Sequence, residues 1–413
     1  MPLSTKHLPL IVTLLFGCGG DSSSTAPTND AEPIRIGQLT TLTGALAQLG
    51  TSWRATAEMA VAEINAAGGV LGRPLELVIA DTETDPAAAV VGARSLLARG
   101  VVGIVGPQIS SATLRVAREV TVAGKVPIIS PSSTAAEIST LEDDDMVWRT
   151  AASDIFKGKI VAKYAYDTGS RRAAIIFIDN SFGRGLSDEF ISTFEGLGGE
   201  VINRINYPEL DGDAIGEYDY RPHTEAVMSG EPDLVYVISL TEDGVKIMIS
   251  ADAAVSDTYR PRFMSELAPS TDLLALVSIY EGLSGLEQRP PTTANRALFV
   301  SNFVSRYDLE PEQFADGIYD AIYLLALAME QAGSTEAEAI TGALRSVSSS
   351  GAAINVADFA RAKALIASGT DIDYEGASGS IDFDANGDVA SGTFRVWTVE
   401  NAAFVDVTTI TFP

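Results

Sequence analysis

The chain has 413 residues, 46% of them hydrophobic, which is ample for two compact domains of the usual size. Its 28 basic and 55 acidic residues give a net charge of −27, which disfavours binding to nucleic-acid phosphates and to anionic membrane surfaces. One cysteine and two histidines exclude most nucleophilic, redox and zinc enzymes, so we expect no catalytic residue, metal or cofactor.

Residues 1–17 predict an export signal. Lys6 precedes an apolar run over 8–16, and that run is about half of the roughly 20 apolar residues that a membrane-spanning helix needs. The segment ends at Gly17 and Cys18 and resembles a bacterial lipoprotein signal, in which cleavage precedes the cysteine and the thiol carries the lipid. We therefore predict a lipid anchor on Cys18. An ordinary secretory signal beside an incidental cysteine is the alternative.

Residues 18–33 predict a flexible tether behind the lipidated cysteine. From residue 19 this stretch reads GGDSSSTAPTNDAEP, and it has too few bulky apolar side chains to offset the entropy cost of ordering. Such a tether lets a folded domain move near a membrane while it stays attached. We expect the protein in the periplasm or at the cell surface, anchored through Cys18.

From Ile34 onward, short β-branched runs alternate with amphipathic helical stretches, a pattern typical of parallel sheets flanked by helices. The first series of predicted strands and helices comprises residues 34–36, 52–67, 75–79, 86–98, 101–105, 111–122 and 126–129. The second series comprises residues 173–178, 185–197, 200–205 and 234–238. A helix-rich segment, 294–344, and a β-region, 379–412, complete the chain. Two such series predict an α/β protein with two similar lobes.

Two short motifs have only a superficial likeness to ligand loops. The segment 183–186, GRGL, lacks the third glycine of a dinucleotide-binding loop. The segment 384–388, DANGD, lacks the distant bidentate glutamate of a calcium loop, and a tight turn is the favoured interpretation.

Four longer phrases between residues 34 and 140 are more specific: IRIGQLTTLTGALAQLG, EINAAGGVLGRPLELVIADTETDP, VVGIVGPQISSAT and VPIISPSSTAAEIST. Weaker similarities follow in AAIIFIDNSFGRGL, PDLVYVISL, FADGIYDAIYLLALAM and IDFDANGDV. Through these phrases the chain resembles the branched-chain amino-acid type of periplasmic binding protein, a member of the type I bilobal family. The resemblance implies the substrate-binding lipoprotein of an ABC transporter.

The same resemblance implies two Rossmann-like lobes, joined by three crossovers, with a ligand held between them. The first lobe would combine residues 34–152 with 285–390. The second lobe would combine residues 153–284 with 391–413. Open α/β sheets bind ligands beyond the carboxyl ends of their strands, so the loops at those ends are the candidate site.

Two hydroxyl-rich loops follow predicted strands of the first lobe. One loop includes Ser110 and Ser111, and the other includes Ser132 and Thr134. In the resembled family, the positions that match Ser110, Ser132 and Thr134 bind the carboxylate and ammonium of an amino acid. We expect these four residues to contact a carboxylate-bearing ligand. Hydroxyls that only cap helices are the alternative.

The resemblance also supplies residues of the second lobe and of the ligand's side-chain pocket. Glu266 is the candidate partner of a ligand ammonium, although a gapless match sets Leu267 at that position, and a plain surface carboxylate is the alternative. Leu49, Phe182 and Leu240 match pocket positions that are usually aromatic in the family. The two leucines widen the pocket, so branched-chain and aromatic amino acids, aromatic acids, amides and other carboxylates are all candidate ligands.

Together these features predict a non-enzymatic transport receptor that captures a small carboxylate-bearing ligand and delivers it to an ABC permease in the inner membrane. We expect a monomer without nucleic-acid partners, whose lobes close through a ligand-driven shift in population. One alternative is a ligand-sensing subunit for a membrane kinase or chemoreceptor. A less favoured alternative is an envelope hydrolase that uses paired carboxylates, with calcium at the 384–388 loop.

Overall fold

The computed structural model of the protein describes residues 31–210, 212–253, 255–256, 258–266 and 281–412. The predicted signal peptide, Cys18, nearly all of the predicted tether and Leu267 lie outside these ranges. Within them, no helix is both long enough and apolar enough to cross a membrane.

The first sheet has five parallel strands in the order β2-β1-β3-β4-β5. Their bounds are β1 Ile34–Thr40, β2 Leu75–Asp81, β3 Ile104–Val105, β4 Ile128–Ser130 and β5 Val147–Arg149. Almost the whole of β1 is buried because helices cover both faces of the sheet, as parallel sheets require. This sheet and the helices packed on it form the first lobe.

The helices of the first lobe come from two separate parts of the chain. They are α1 Ala47–Ala66, α2 Pro86–Ala98, α3 Ser110–Val116 and α4 Val122–Gly124, followed much later by α10 Ala294–Tyr307, α11 Ala315–Ala332, α12 Ala337–Val347 and α13 Phe359–Ala367. A π-helical segment, Ala117–Thr121, joins α3 to α4, and a short 3₁₀ helix spans Ala136–Thr140. Helix α11 is buried all round over residues 315–329, and it packs against α1 and the first sheet.

The second sheet has seven strands in the order β14-β13-β10-β9-β8-β6-β7. Their bounds are β6 Arg172–Ile178, β7 Glu200–Tyr207, β8 Leu234–Ile238, β9 Arg262–Ser265, β10 Ser284–Gln288, β13 Gly392–Glu400 and β14 Ala403–Phe412. The strands from β7 to β10 are parallel, whereas β13 and β14 form an antiparallel hairpin at the edge. A two-stranded sheet of β11 Ala352–Ile354 and β12 Ile372–Tyr374 lies apart from both.

The described helices of the second lobe are α5 Asp154–Asp167, α6 Ser181–Gly196, α7 Gly212–Glu217, α8 Arg221–Met228 and α9 Thr241–Asp252. Helix α6 begins at Ser181 rather than at Gly185, because the side chain of Asn180 caps it by accepting a hydrogen bond from Gly183 N. A Cβ atom at Gly183 would lie 1.9 Å from the carbonyl oxygen of Ile178, so only glycine allows this close start. Gly183, the first glycine of the GRGL segment, therefore allows the start of α6 to pack closely against the end of β6.

The predicted α/β class with two lobes is confirmed, while several boundaries differ. Strand β10 pairs with β9 and β13, so the chain leaves the second sheet after Gln288, and assigning residues 285–288 to the first lobe was wrong. Helix α1 begins at Ala47 instead of Ser52, and β3 is shorter than the predicted 101–105. Apart from this corrected strand, the division of the chain into 34–152 with 285–390 and 153–284 with 391–413 stays a prediction.

Candidate functional site

Seven strands of the two described sheets end at one cavity. The segments after β1, β3, β4, β6, β7, β8 and β9 all contribute side chains to this cavity, which has a volume of about 140 Å³. From the first lobe, the lining residues are Leu46, Leu49, Trp53, Gln108, Ile109, Ser110, Ser132, Thr134, Gln313 and Phe314. From the second lobe, they are Lys157, Asn180, Phe182, Glu209, Ser239, Leu240, Thr241 and Glu266. We refer to this space as the cleft cavity.

The structure brings the residues predicted from the sequence together. Seven of the eight predicted ligand contacts line the cleft cavity: Leu49, Ser110, Ser132, Thr134, Phe182, Leu240 and Glu266. The exception is Ser111, whose hydroxyl donates a hydrogen bond of 3.0 Å to Glu209, a lining residue of the other lobe. Residues far apart in the chain thus converge, and their role in ligand binding stays a prediction.

The three first-lobe hydroxyls link loops to one another and do not cap the helices that follow them. Ser110 Oγ accepts a hydrogen bond of 3.1 Å from Ala135 N, and Ser132 Oγ donates one of 2.8 Å to the Gln108 carbonyl oxygen. Helix α3 has no side-chain cap at all. Because Ser110 Oγ acts as an acceptor in this bond, its own hydrogen is still available for donation.

Thr134 is held by a buried carboxylate. Its hydroxyl donates a hydrogen bond of 2.8 Å to Asp154 Oδ2, and Asp154 is fully buried at the start of α5. Burial raises the pKa of Asp154 to about 7, against the opposing effects of Lys157 and of this hydrogen bond. Asp154 therefore changes protonation state near neutral pH.

Glu266 already has partners inside the protein. Its carboxylate forms an ion pair with Lys157, and it also accepts a hydrogen bond from the hydroxyl of Tyr236. Both members of the ion pair are largely buried, with side-chain exposures of 12% for Lys157 and 1% for Glu266. Burial alone lowers the pKa of Lys157, but the attraction of Glu266 and Asp154 outweighs it and leaves the pKa raised. Lys157 is therefore a cation at neutral pH.

Lys157 lines the cleft cavity but was not among the residues predicted from the sequence, although its position in the chain offers a clue. It lies at the beginning of α5, where the positive end of the helix dipole disfavours a cation. A lysine at such a position suggests a specific carboxylate partner. The identity of that partner is set by tertiary packing, which places the start of α5 against the end of β9.

One further lining residue carries a buried polar side chain without a partner in the described part of the chain. Both amide atoms of Gln108 lack a hydrogen bond, and Gln108 is 4% exposed. The hydroxyl of Ser239, another lining residue, is 3% exposed and lies beside Tyr207. Leaving a buried amide unsatisfied costs about 1–3 kcal/mol.

Apolar groups form the remaining wall of the cleft cavity. Phe182 and Leu240 come from the second lobe, while Leu49 and Phe314 come from the first. Phe314 has φ 65°, an uncommon conformation for a residue other than glycine, and it directly precedes α11. The wall offers an apolar surface opposite the polar loops.

A second cavity of about 360 Å³ adjoins the cleft cavity and shares four lining residues with it: Leu49, Thr241, Gln313 and Phe314. Its three arginines already have carboxylate partners at 2.7–3.4 Å: Arg289 and Arg395 with Asp406, and Arg296 with Asp316. The cleft cavity, which lies at the strand ends and carries unpaired polar groups, is therefore the stronger candidate site.

The DANGD loop forms the turn that the sequence favours. Asp384 Oδ1 accepts hydrogen bonds from Asn386 N and Asp388 N, and the carboxylate of Asp388 binds the buried Arg149 at 2.5 and 2.8 Å. Among the described residues, no group of three or more histidine, cysteine or acidic side chains is arranged to hold a metal ion.

Comparisons with known proteins agree with this geometry. A family model described as periplasmic binding protein matches residues 33–403. The chain is 28% identical over 366 residues to the chemotactic signal transduction system substrate-binding protein BasB of Halobacterium salinarum, covering 86% of this chain and 84% of that protein. It is 27% identical over 405 residues to the leucine-, isoleucine-, valine-, threonine- and alanine-binding protein of Pseudomonas aeruginosa, covering 96% and 97%.

A solved structure gives the same result for the fold. The leucine-binding protein LivK of Thermotoga maritima superposes with a TM-score of 0.74 at 24% identity, covering 91% of this chain and 98% of that one. At this level of identity the likeness concerns the arrangement of the two lobes.

Proposed function

The chain belongs to the periplasmic binding protein family, and on that premise we propose that it is an extracytoplasmic lipoprotein that captures a small carboxylate-bearing solute between its lobes. It then delivers the solute to an ABC permease in the inner membrane. The convergence of all the predicted contacts on the cleft cavity, directly or through Glu209, is the observation that carries this proposal.

The polar side of the cleft cavity suits a carboxylate. Ser110 has a hydroxyl hydrogen available, the amide of Gln108 has no partner among the described residues, and Ser239 adds a hydroxyl from the second lobe. These donors come from both lobes, so a carboxylate bound to them favours closure. The apolar wall around Phe182 and Leu240 then covers the hydrocarbon part of the solute.

The relatives support a small organic acid as the solute. The Pseudomonas aeruginosa relative is named for binding leucine, isoleucine, valine, threonine and alanine, all of which carry a carboxylate. A cleft cavity of about 140 Å³ suits a solute of similar size. Amino acids and related carboxylates are therefore the first candidates.

Binding without chemical change is the favoured activity. A carboxylate-dependent hydrolase needs one carboxyl group to donate a proton and another to act as base or nucleophile. In the cleft cavity, Glu266 is bound by Lys157 and Tyr236, and Glu209 by Ser111 and Asn180. These interactions occupy both carboxylates and hold them in place, so neither is free to act on a substrate.

The anchor, the location and the assembly complete the proposal. The lipoprotein-like segment ending at Cys18 supports lipidation there and a location in the periplasm or at the cell surface. The tether up to residue 33 gives the lobes freedom to approach a permease. A single cleft formed within one chain is consistent with a monomer.

A sensory role is the second candidate. The Halobacterium salinarum relative is named as a substrate-binding protein of a chemotactic signal transduction system, and it matches 86% of this chain. In that role the closed form would contact a signalling receptor in place of a permease. The binding step is the same in both candidates.

Thermal-shift screening of the purified protein against amino acids and other carboxylates tests the binding step. A ligand that binds only the native state raises the melting temperature, by an amount that grows with its concentration. We expect one chemical class of carboxylate to do so and to be recovered unchanged by mass spectrometry. Conversion of the solute, or the absence of any carboxylate that stabilises the protein, would contradict the proposal.

A further inference from the structure

The cleft cavity contains its own ammonium group. Lys157 and Glu266 both line this cavity, and they form a largely buried ion pair with each other. Tyr236 donates its hydroxyl to Glu266 Oε1, while Lys157 contacts Oε2. Both oxygens of the carboxylate therefore have a partner supplied by the protein.

A ligand ammonium at Glu266 would have to compete with Lys157. If it displaced Lys157, the lysine would lose its main partner while remaining in a site where its side chain is only 12% exposed. If Lys157 stayed, two cations would lie side by side in a poorly solvated space, where like charges repel strongly. Either course penalises a ligand that carries an ammonium beside its carboxylate.

The neighbouring carboxylates do not offer a ligand ammonium an alternative to Glu266. Asp154 is fully buried and is not among the residues that line the cleft cavity; it holds the hydroxyl of Thr134 instead. Glu209 lines the cavity, but it is an exposed residue that accepts hydrogen bonds from Ser111 and Asn180. An exposed carboxylate attracts an ammonium only weakly, because water and salt screen the interaction.

We infer that Lys157 replaces the ammonium of an amino-acid ligand, and that the solute is a carboxylic acid without a 2-amino group. The inference rests on the proposed function, because it names the class of solute for the same cavity. The donors that such an acid needs are present in Ser110, Gln108 and Ser239. Lys157 is thus a specificity-determining residue.

Isothermal titration calorimetry on the full chain with matched ligand pairs tests the inference. Each pair differs only in the 2-amino group: 4-methylpentanoate with L-leucine, and 3-phenylpropanoate with L-phenylalanine. We expect the acid to bind at least about tenfold more tightly than its amino-acid partner in at least one pair, a difference of about 1.4 kcal/mol. An amino acid that binds as tightly as its acid, or more tightly, overturns the inference while leaving the proposed function intact.

A substitution separates the role of the lysine from that of the pocket's shape. Lys157→Met keeps a long apolar chain and frees Glu266, so we expect the preference for the acid over the amino acid to fall at least about tenfold. Lys159→Met is the matched control, because Lys159 is exposed on the same helix and does not line the cleft cavity. An unchanged preference in folded Lys157→Met overturns the inference.

The wild-type comparison needs no variant, so the inference stays testable if Lys157→Met fails to fold. If none of the four ligands, and no acid of the wider carboxylate screen, binds the wild-type protein, the proposed function fails and the inference fails with it. The two failures are therefore distinguishable from the wild-type data alone.

Discussion

Ser111 of the first lobe donates a hydrogen bond of 3.0 Å to Glu209 Oε1 of the second lobe. Asn180 donates to the same oxygen at 2.7 Å from within the second lobe, so it holds the glutamate in place. The two lobes are thus joined by a polar contact at the edge of the cleft cavity. We expect this contact to break when the lobes separate, and therefore to stabilise a closed arrangement.

Removing this contact weakens ligand binding without altering the cavity wall. In Ser111→Ala the hydrogen bond is lost, worth about 1 kcal/mol, and a smaller closed population raises the apparent Kd roughly fivefold. Titration calorimetry with the best ligand of the screen measures the change. Ser301→Ala, an exposed serine of α10, is the control and should bind like the wild type. Equal affinity of both variants would show that the contact contributes nothing to closure.

We expect the native Gln108 to strengthen binding of the solute while lowering the stability of the folded protein. In Gln108→Leu, the buried amide without a described partner is replaced by an apolar group, so the unfolding free energy should rise by about 1 kcal/mol. Affinity for the solute should fall about tenfold, because a donor and an acceptor of the cleft cavity are lost. Urea unfolding and calorimetry measure the two effects. A variant that is less stable but binds normally would assign Gln108 a purely structural role.

Asp154 should make the protein less stable as pH rises through the acidic range. Because burial raises its pKa to about 7 from an ordinary value near 3.8, the folded state binds the proton more tightly than the unfolded state. Its contribution is fully present below about pH 4 and is lost as pH rises to about 7. The associated decline in unfolding free energy is on the order of a few kcal/mol, at about 1.4 kcal/mol per pKa unit.

The variant Asp154→Asn isolates this effect, since its amide oxygen can still accept the hydrogen bond from Thr134. The unfolding free energy, measured by urea titration between pH 4 and pH 8, should fall less steeply in this variant than in the wild type. Asp167→Asn, at the exposed end of the same helix, should follow the wild type. Parallel curves for all three proteins would contradict the pH dependence assigned to Asp154.

Trp53 provides an internal reporter of binding. It lines the cleft cavity, and its indole N–H donates a hydrogen bond of 2.7 Å to the Gln313 carbonyl oxygen, which belongs to another lining residue. Ligand binding should therefore change the intrinsic fluorescence, and Trp53→Phe should remove most of that change. Trp397→Phe is the control, because Trp397 is packed in the second sheet and does not line the cavity. A ligand response that survives in Trp53→Phe and disappears in Trp397→Phe would contradict this location.

The sequence predicted much of the site because its residues follow strands. Ser110, Ser132, Phe182 and Glu266 all lie just beyond strand ends, and a parallel α/β pattern brings such ends to one edge. Periodicity and family phrases are therefore informative about these loops. They also led to the correct fold class.

The remaining features depend on contacts between distant parts of the chain. The ion pair of Lys157 with Glu266 requires the start of α5 to meet the end of β9, and neither local sequence specifies that meeting. The membership of β10 in the second sheet is set by its ladders with β9 and β13, since its own residues fit either lobe. Sequence patterns identify helices and strands more readily than the elements against which they pack.

A crystal structure of the protein with the best ligand of the carboxylate screen tests the central claim most directly. We predict an unaltered acid between the two lobes, with its carboxylate within hydrogen-bonding distance of Ser110 and its hydrocarbon part against Phe182. A ligand bound outside the cleft cavity, or a chemically altered ligand within it, would contradict the account.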